Sequence, residues 1–507
     1  MKSQFFILFL FLVLSPRFSQ GQQKTMIQGK VFLDSNSNGI FDKTEKGVKD
    51  VCISNGKDVV QTNEKGEWKI EKRGNEPVFL IKPSGFGVPV NQIQIPQHFI
   101  SGKESNPSEF NFPLVPQNES GKIKALFFGD TQSRGIKEVN YIFRDVVEEL
   151  IGSDAAFGVS LGDIVADDPE LMDDVAAGIG QIGIPWYNIF GNHDSDRQAK
   201  TNDERDETFE KFFGPSTYAF EYGQVVLIGL NNIFFKPDGK YISHFTENQL
   251  AFVENYLEVV PKNKLVVLMM HSPIVACDNR EEMYKVIQNR EHTFSISGHV
   301  HEQINLFVDE KMGWKGETPH HHLINATVCG SWWCGLKDEA GIPHATMNDG
   351  APNGYSVITF EGNKYSVQFK AARRPESYKM NIYLPGEIEK SALDTTKVLA
   401  NIFAGSVKSK VEMSIDSGEW IKMDTIQTID PECLRMHRLS PFLDEKINGQ
   451  PLDDILGYNM DFPSKSHHIW QAILPKDIAP GTHRLTIRTT DMYNQTSVAH
   501  RIFRVKM

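Results

Sequence analysis

The segment Thr293-Phe-Ser-Ile-Ser-Gly298-His299-Val-His301 is an apolar strand pattern that ends in two histidines. Four other apolar segments also run into a residue that can bind a metal. These residues are Asp130 after IKALFFG, Asp163 after FGVSLG, Asn192 after NIFG and His271 after VVLMM. Because α/β sheets hold their ligands at the carboxyl ends of strands, the six side chains are predicted to converge on one edge. One such ending alone would be a turn residue or helix cap, but five in order indicate a metal site.

Amphipathic helices alternate with these strands. In KEVNYIFRDVVEELIG, residues 137–152, the apolar side chains recur at helical spacing. A second helix is predicted to begin at Thr246, where Gln249 completes a capping box. The alternation of strands and helices predicts an α/β layered domain over residues 117–373.

Both flanks of this domain have the pattern of all-β sandwiches. Residues 22–116 contain short strands separated by turn signals, namely KVFL, VCIS, GEWKI and PVFLIK. Residues 374–507 alternate in the same way, in KVEMSID, HIWQAIL, THRLTIR and HRIFRVK. We therefore expect three domains, with the α/β domain between two β-sandwich domains.

The N-terminal flank contains a loop with the spacing of a calcium-binding motif, DSNSNGIFDKTE, residues 34–45. Its candidate calcium ligands are Asp34, Asn36, Asn38, the carbonyl of Ile40, Asp42 and Glu45. The flanks are strand-like, so the loop resembles the calcium-binding B-type repeats of bacterial surface proteins and not an EF-hand. A metal-free Asn-Gly turn explains the same residues, since only three carboxylates are offered.

The first residues predict export. Lys2 precedes an apolar run from Phe5 to Leu14, and Ser19 and Gly21 offer a small-residue cleavage site. The run is about half the length of a bilayer-spanning helix of roughly 20 residues, which favours a cleaved signal peptide over residues 1–21. We therefore expect a periplasmic or secreted protein with no transmembrane segment after cleavage.

The overall charge argues against nucleic acid as a stable partner. The chain has 53 Lys and Arg against 65 Asp and Glu, a formal net charge of -12, and it has no basic tract. Stable binding to duplex DNA or RNA needs clustered cationic side chains that displace counterions. Nucleic acid is left open only as a substrate.

The loop after LINATVC carries the candidate substrate contacts. Trp332 and Trp333 are adjacent there and could stack on a sugar or a base, but core packing explains them equally well. The flanking Cys329 and Cys334 are close enough to form a disulfide, and buried free thiols are the alternative. Residues 320–322, three histidines in a row, are interpreted as an exposed loop before the strand.

The ordered metal-capable motifs resemble those of the calcineurin-like metallophosphoesterase family, D-x-H, GD, GNH[DE], H and GHxH. The corresponding residues in this chain are Asp130-Thr-Gln132, Gly162-Asp163, Gly191-Asn192-His193-Asp194, His271 and Gly298-His299-Val-His301. The resemblance covers roughly residues 121–372 and implies a four-layer αββα core. The outer domains look like those that flank exported bacterial members.

The resemblance also implies a site for two divalent metal ions. The first ion would be bound by Asp130, Gln132, Asp163 and His301. The second ion would be bound by Asp163, Asn192, His271 and His299. These carboxylate, amide and imidazole donors suit Mn, Fe or Zn. A bridging hydroxide would attack phosphorus, while His193 stabilises the phosphorane or protonates the leaving group and Asp194 orients His193.

Two residues depart from the family pattern. Gln132 stands where the family has a histidine, and a neutral amide oxygen is the weaker ligand. We therefore expect looser binding of the first ion, or a harder ion there. The family often places an Asp three residues after GD, whereas Asp167 follows Asp163 by four. Asp167 is interpreted as a solvated turn residue, with a supporting contact to the ligands as the alternative.

Together these features predict an exported, metal-dependent phosphoesterase. The substrate classes considered are phosphodiesters of a lipid head group, a phosphorylated glycan or a nucleotide. Phosphodiesters are slightly favoured because no Arg cluster beside the motifs marks a terminal phosphate pocket. A phosphomonoesterase is the alternative within the same class. A catalytically weakened surface module that binds a glycan or protein is the third hypothesis, and the presence of His193 and Asn192 argues against it.

Overall fold

The computed structural model describes residues 25–103, 110–119, 121–439, 446–447, 450–451 and 458–507. The predicted signal peptide, residues 1–21, lies outside the described residues. Within the described part of the chain, no helix combines the length and apolarity needed to cross a bilayer.

The N-terminal part is built from two four-stranded sheets. One sheet contains, in spatial order, Glu67–Glu71, Met26–Leu33, Phe110–Pro116 and Phe86–Gly87. The other contains Val59–Gln61, Cys52–Ser54, Val78–Leu80 and Phe99–Ile100. Alternate residues such as Val31, Ile53 and Trp68 are buried between the sheets and form one apolar core.

The central part contains a five-stranded and a six-stranded sheet. The first has the order Trp186–Asn188, Phe157–Ser160, Lys122–Phe128, Gly354–Glu361 and Lys364–Ala371. The second has the order Tyr218–Tyr222, Val225–Leu230, Leu265–Met270, Thr293–Ser297, His320–Ile324 and Ile304–Val308. A separate hairpin pairs Ile233–Phe235 with Tyr241–Ser243.

Five α-helices belong to this described central part: Ile136–Ile142, Met172–Ile179, Glu207–Phe213, Glu247–Val259 and Arg280–Ile287. The helix predicted to begin at Thr246 is confirmed, and so is its capping box. The Thr246 hydroxyl accepts a hydrogen bond from the Gln249 N–H at 3.3 Å, and the Gln249 side chain accepts one from the Thr246 N–H at 2.9 Å. The helix predicted within residues 137–152 is confirmed over residues 136–150. It changes type along its length, from the α-helix Ile136–Ile142 to a π turn over Phe143–Val147 and a 3₁₀ turn over Glu148–Leu150.

The sheets pack face to face with helices on their outer faces. Tyr187 of the five-stranded sheet stacks on Phe220 of the six-stranded sheet, with ring centroids 3.7 Å apart. In strand Lys122–Phe128, Phe127 belongs to this inter-sheet core, while Phe128 belongs to the cluster that includes the helix residue Ile142. The predicted four-layer αββα architecture is therefore confirmed.

The C-terminal part is a second pair of sheets. One has the order Met380–Tyr383, Lys397–Ile402, Lys465–Ile473 and Asp424–Ile429. The other has the order Glu387–Glu389, Thr496–Lys506, Gly481–Thr490, Lys410–Ile415 and Ile421–Lys422. A helix, Pro431–Leu439, and a two-stranded ribbon of Lys446–Ile447 and Gln450–Pro451 complete the described elements. The fold class of an α/β core flanked by two β-rich domains is confirmed.

Candidate metal centre

The two central sheets bring their strand ends to one buried centre. In the five-stranded sheet, Lys122–Phe128, Phe157–Ser160 and Trp186–Asn188 pair in parallel. In the six-stranded sheet, Leu265–Met270 pairs in parallel with Thr293–Ser297. The residues that follow these strands are Asp130, Asp163, Asn192, His271, His299 and His301. Parallel pairing explains why residues far apart in sequence lie together here.

Asp163, His271 and His299 form a three-residue cluster in which the potential ligand atoms lie within 4.8 Å of one another. His271 Nε2 is 3.1 Å from both Asp163 Oδ2 and His299 Nδ1. His271 Nδ1 donates to the Leu161 carbonyl at 2.8 Å, which leaves Nε2 directed at the cluster. Asn192 Oδ1 is buried and accepts no hydrogen bond from any described residue. Burying such an oxygen without a partner costs free energy, and a bound cation would remove that cost. This donor set therefore fits a metal ion.

A second set of donors surrounds Asp130. Its Oδ2 lies 3.3 Å from His301 Nε2, yet it is buried and accepts no hydrogen bond from the described residues. His301 Nδ1 donates to the Gly330 carbonyl at 2.6 Å, so Nε2 is the atom left for a metal. The Gln132 amide donates to Asp163 Oδ2 at 3.3 Å. Its oxygen would reach that position after a half-turn of the amide. This donor set also fits a metal ion.

The charges of the centre change the pKa values of its side chains. Burial opposes protonation of His271, but Asp163 and Asp130 raise its pKa to about 9. Burial also opposes protonation of His301, but its contacts with Cys329 and Asp130 hold its pKa well above the ordinary value. The two carboxylates thus stabilise positive charge on the groups beside them. Divalent cations would supply that charge and would displace any protons from the ligand atoms.

His193 lies beside this centre on the 3₁₀ turn Asn192–Asp194. Its N–H donates to Asp163 Oδ1 at 2.8 Å, and its ring Nδ1 is 2.6 Å from Asp167 Oδ1. The His193 side chain is 21% exposed, so it remains within reach of a substrate. Arg197 makes an ion pair with the same Asp167 carboxylate. The interpretation of Asp167 as a solvated turn residue is therefore wrong: its carboxylate orients the ring of His193.

The prediction that Asp194 orients His193 is also wrong. The Asp194 carboxylate is fully buried and accepts backbone N–H groups from Ile164 at 2.8 Å, Val165 at 3.1 Å and Gly191 at 2.9 Å. It therefore joins the loop that follows Asp163 to the loop that contains Asn192. Burial raises the pKa of Asp194, and the negative charge of Asp163 raises it further. Its role is to hold the two metal loops together.

Trp332 and Trp333 lie in different environments. The partly exposed Trp332 ring stacks on the His301 ring, with centroids 5.6 Å apart, and meets the His193 ring edge-on at 5.0 Å. Trp333 is fully buried against Tyr141, and its indole N–H donates to the Thr131 carbonyl at 3.0 Å. Only Trp332 is therefore placed to touch a substrate. Trp333 is a core residue.

Several neighbours of the centre carry no signal in the sequence motifs. Arg134 donates to the Trp332 carbonyl, and its guanidinium lies 4.7 Å over the ring of Tyr458. Cys329 Sγ is 3.8 Å from Gln132 Oε1 and 3.8 Å from His301 Nδ1, which is the ring nitrogen that faces away from Asp130. All five cysteines, including Cys329 and Cys334, are buried free thiols. Only proximity to Gln132 in sequence could have pointed to Arg134.

The candidate calcium loop is folded around its carboxylates. Asp34 accepts from the Gly39 N–H at 2.8 Å, and Asp42 accepts from the Asn36 amide at 2.8 Å. Glu45 accepts from the Asp42 N–H at 3.0 Å. The three carboxylates are therefore engaged by donors of the loop itself. Their ligand atoms are not among the described groups that lie within 4.8 Å of one another.

The interpretation of residues 320–322 as an exposed loop is wrong. All three histidines are buried in the strand His320–Ile324. Ser295 Oγ on the neighbouring strand lies 2.7 Å from both His320 Nε2 and His322 Nδ1, and His321 Nδ1 lies 2.7 Å from the Tyr365 hydroxyl. Because each ring finds polar partners on adjacent strands, the tract can be buried without a metal.

Comparison with known families assigns most of the chain. A model described as calcineurin-like phosphoesterase matches residues 123–303. Models described as the N terminal and the C terminal of calcineurin-like phosphoesterase match residues 35–117 and 322–496. The three matches follow one another along the chain, and the middle one includes every candidate ligand of the two-metal centre.

Comparison with individual proteins gives weaker similarities. No curated protein matches the chain. Among solved structures, the purple acid phosphatase PPD1 from seeds of yellow lupin (Lupinus luteus) is similar at 11% identity and a TM-score of 0.36, over 64% of this chain and 67% of that one. The endo-fucoidan hydrolase MfFcnA9 of glycoside hydrolase family 107 is similar at 10% identity and a TM-score of 0.18, over 74% of this chain and 72% of that one.

Proposed function

This chain belongs to the calcineurin-like phosphoesterase family, and we propose that it is an exported enzyme that hydrolyses phosphodiesters with two divalent metal ions. As a family member it is a metal-dependent hydrolase of phosphoric esters. The observation that carries the proposal is the position of Asp163. Its Oδ2 faces His271 at 3.1 Å, its Oδ1 accepts the His193 N–H at 2.8 Å, and the Gln132 amide reaches it at 3.3 Å. One carboxylate thus connects both donor sets and the candidate acid.

The side chains divide the reaction between them. Two bound divalent ions would supply an activated water and neutralise charge on the phosphoryl group. Asp130, Asn192 and the histidines of the centre would hold those ions at fixed positions. His193 would transfer a proton from Nε2 to the leaving oxygen, because Asp167 engages Nδ1 and sets the orientation of the ring. The Trp332 ring forms a wall beside His193 against which the leaving group would lie.

The preference for diesters rests on how the nearby arginines are used. A phosphate monoester carries an additional negative oxygen that needs cationic donors. Of the described residues beside the site, Arg197 is paired with Asp167, and Arg134 is paired with Glu138 and with the Trp332 carbonyl. Neither guanidinium is held toward the centre as a free phosphate clamp. This arrangement supports a diester of a lipid head group, a phosphorylated glycan or a nucleotide.

Substrate preference is tested with bis-p-nitrophenyl phosphate and p-nitrophenyl phosphate. The full chain is stripped of metal and supplied in turn with Mn, Zn, Fe or Mg. We expect a kcat/KM for the diester at least about tenfold above that for the monoester, which corresponds to about 1.4 kcal/mol. A preference for the monoester would show that the enzyme is a phosphomonoesterase.

We propose Mn, Fe or Zn as the bound ions, with the first ion bound less tightly because Gln132 replaces an imidazole. The Gln132→His variant tests this proposal by titration with Mn²⁺. We expect one of the two ions to bind about tenfold or more tightly in the variant, while the other is unchanged. If each ion binds wild type and Gln132→His with the same affinity, this interpretation of Gln132 is wrong.

For the N-terminal loop we propose a calcium ion held by Asp34, Asp42 and Glu45 together with the other oxygen ligands of the loop. Asp34 is only 2% exposed, and positions 1, 3, 5, 9 and 12 carry oxygen side chains. Calorimetric titration of the full chain with Ca²⁺ is expected to show one site that is lost in Asp34→Ala and kept in the nearby control Asp50→Ala. Heat that persists in Asp34→Ala would contradict it.

The proposal of export rests on residues 1–21. The test is mass spectrometry of the N-terminus in fractionated cells that express the chain. We expect a mature N-terminus close to residue 22 in the periplasmic or secreted fraction. An intact N-terminus in the cytoplasmic fraction would contradict export.

A further inference from the structure

The loop that carries two of the metal-binding histidines has a strained backbone. His299 has φ 75° and His301 has φ 58°, in the left-handed region that residues other than glycine rarely adopt. Such a conformation is strained in a residue other than glycine, so the surrounding structure must hold it in place. Asp130 Oδ1 accepts the His299 N–H at 2.9 Å, and the His301 carbonyl accepts the Asn348 N–H at 3.2 Å. The loop therefore depends on contacts from outside itself.

A further contact of this loop is made by a buried carboxylate. Asp349 Oδ2 accepts the N–H of Gln303, two residues after His301, at 2.7 Å. Asp349 Oδ1 accepts the Ala351 N–H at 2.9 Å. Asp349 is fully buried, and burying a carboxylate costs free energy unless hydrogen-bond partners engage it.

A side-chain partner for Asp349 comes from the C-terminal domain. His468, on strand Lys465–Ile473, places Nε2 at 2.9 Å from Asp349 Oδ2, and both side chains have 0% exposure. Its Nδ1 is 2.6 Å from Asn401 Oδ1, and the Asn401 amide donates to Asp430 Oδ2 at 2.8 Å. Because a carboxylate only accepts, this last bond fixes which end of the Asn401 amide faces His468. Both ring nitrogens are therefore placed to donate, Nδ1 to Asn401 and Nε2 to Asp349.

We propose that His468 is a positioning residue for the metal centre, which it serves through Asp349 and the backbone of Gln303. The C-terminal domain thus completes the site that the strand ends of the central domain begin. Without the His468 ring, the buried Asp349 carboxylate would lose its side-chain hydrogen-bond partner and would no longer be fixed against Gln303. The loop of His299 and His301 would then lose one of its anchors. The proposal rests on the proposed function, since it takes these histidines as metal ligands.

The test is Mn²⁺ titration of the full chain by calorimetry, with metal content measured in parallel. His468→Leu removes both donors, while His468→Gln retains a donor near the position of Nε2. His467→Leu is the matched control, because its side chain is exposed on the same strand. We expect His468→Leu to weaken Mn²⁺ binding about tenfold or more, the scale seen when a residue behind a metal ligand is removed. His468→Gln is expected to fall between it and wild type, and His467→Leu to equal wild type.

Titration is done well below the unfolding temperature of each variant, so that a purely structural role would leave Mn²⁺ affinity unchanged. Wild-type affinity in folded His468→Leu would overturn the proposal. If His468→Leu does not fold, His468→Gln carries the test, and wild-type affinity there would overturn it equally. An equal loss in His467→Leu would also overturn it. Wild-type protein that binds no Mn²⁺ would instead overturn the proposed function, with this proposal as a consequence.

Discussion

His193 and Asp167 are joined by two hydrogen bonds. The side chains meet at 2.6 Å between Nδ1 and Oδ1, and the Asp167 N–H donates to the His193 carbonyl at 3.1 Å. Asp167 has φ 69°, a left-handed conformation. It follows Asp163 by four residues, where the family often has an Asp three residues after the GD motif. The imidazole is thereby held with Nε2 free to reach a leaving oxygen.

The first prediction concerns this pair. Asp167→Ala is expected to lower kcat about tenfold to a hundredfold with metal content unchanged, and His193→Ala to lower it by a hundredfold or more, as expected for a general acid. The double variant should be no slower than His193→Ala, because Asp167 acts through His193. Asp168→Ala is the control, since Asp168 is exposed. Multiplicative losses in the double variant would show that the two residues act separately.

The second prediction is that Asp194 acts in stability and metal binding and not in proton transfer. Asp194→Ala leaves three buried N–H groups without their acceptor, so the free energy of unfolding should fall by at least about 1–3 kcal/mol. Metal content should fall with it, because the loops after Asp163 and around Asn192 separate. Chemical denaturation and metal analysis measure both effects. A variant with wild-type stability and metal content but low turnover would restore a catalytic role to Asp194.

The third prediction uses the two adjacent tryptophans as controls for each other. Trp332→Ala should raise KM for an aromatic diester about tenfold, since a stacking contact contributes roughly 1–3 kcal/mol, and should change stability little. Trp333→Ala should instead lower the free energy of unfolding by about 3–5 kcal/mol, because it empties a buried site. Kinetics and denaturant unfolding of both variants decide the matter. The reverse pattern would place Trp333 against the substrate.

The fourth prediction concerns acid stability. Burial lowers the pKa of His320 and of His321 to about 3, and the pKa of His322 well below its usual value. The unfolded chain, with histidines near pKa 6.5, binds more protons below that pH. Stability is therefore complete above pH 6.5 and lost toward pH 3, by about 2 kcal/mol per histidine between pH 6.5 and 5.

Denaturant unfolding at pH 7 and pH 5 tests this sign. His321→Gln should lose about 2 kcal/mol less than wild type between the two pH values, because one buried titrating group is gone. His467→Gln removes an exposed histidine and should match wild type. An acid loss in His321→Gln equal to that of wild type would mean that the tract is not buried and neutral.

The convergence of the candidate metal-binding residues could be predicted because parallel pairing of strands brings residues that are far apart in sequence to one edge of a sheet. Asp130, Asp163 and Asn192 each follow one of three strands that pair in parallel in the five-stranded sheet. Few other side chains in these motifs can bind a metal. The two flanking β-sandwiches could also be predicted, since short strands with alternating apolar residues are compatible with few other folds. Local sequence decided these features.

The supporting contacts could not be predicted because they join segments that no local pattern relates. His320 and His322 look exposed until strand Thr293–Ser297 places Ser295 between them. Asp194 follows His193 directly, yet the fold turns its carboxylate to the backbone of Ile164. In each case register and loop geometry determine the partner.

The two-metal mechanism is tested most directly by comparing wild type with Asp163→Asn, with Asp173→Asn at an exposed position as control. Hydrolysis of bis-p-nitrophenyl phosphate and bound metal are measured together, after metal removal and again after addition of Mn²⁺. Because Asp163 belongs to both donor sets, we expect metal-dependent hydrolysis in wild type and Asp173→Asn, and loss of both turnover and bound metal in Asp163→Asn. Hydrolysis that needs no metal, or that survives in Asp163→Asn with wild-type metal content, would contradict it.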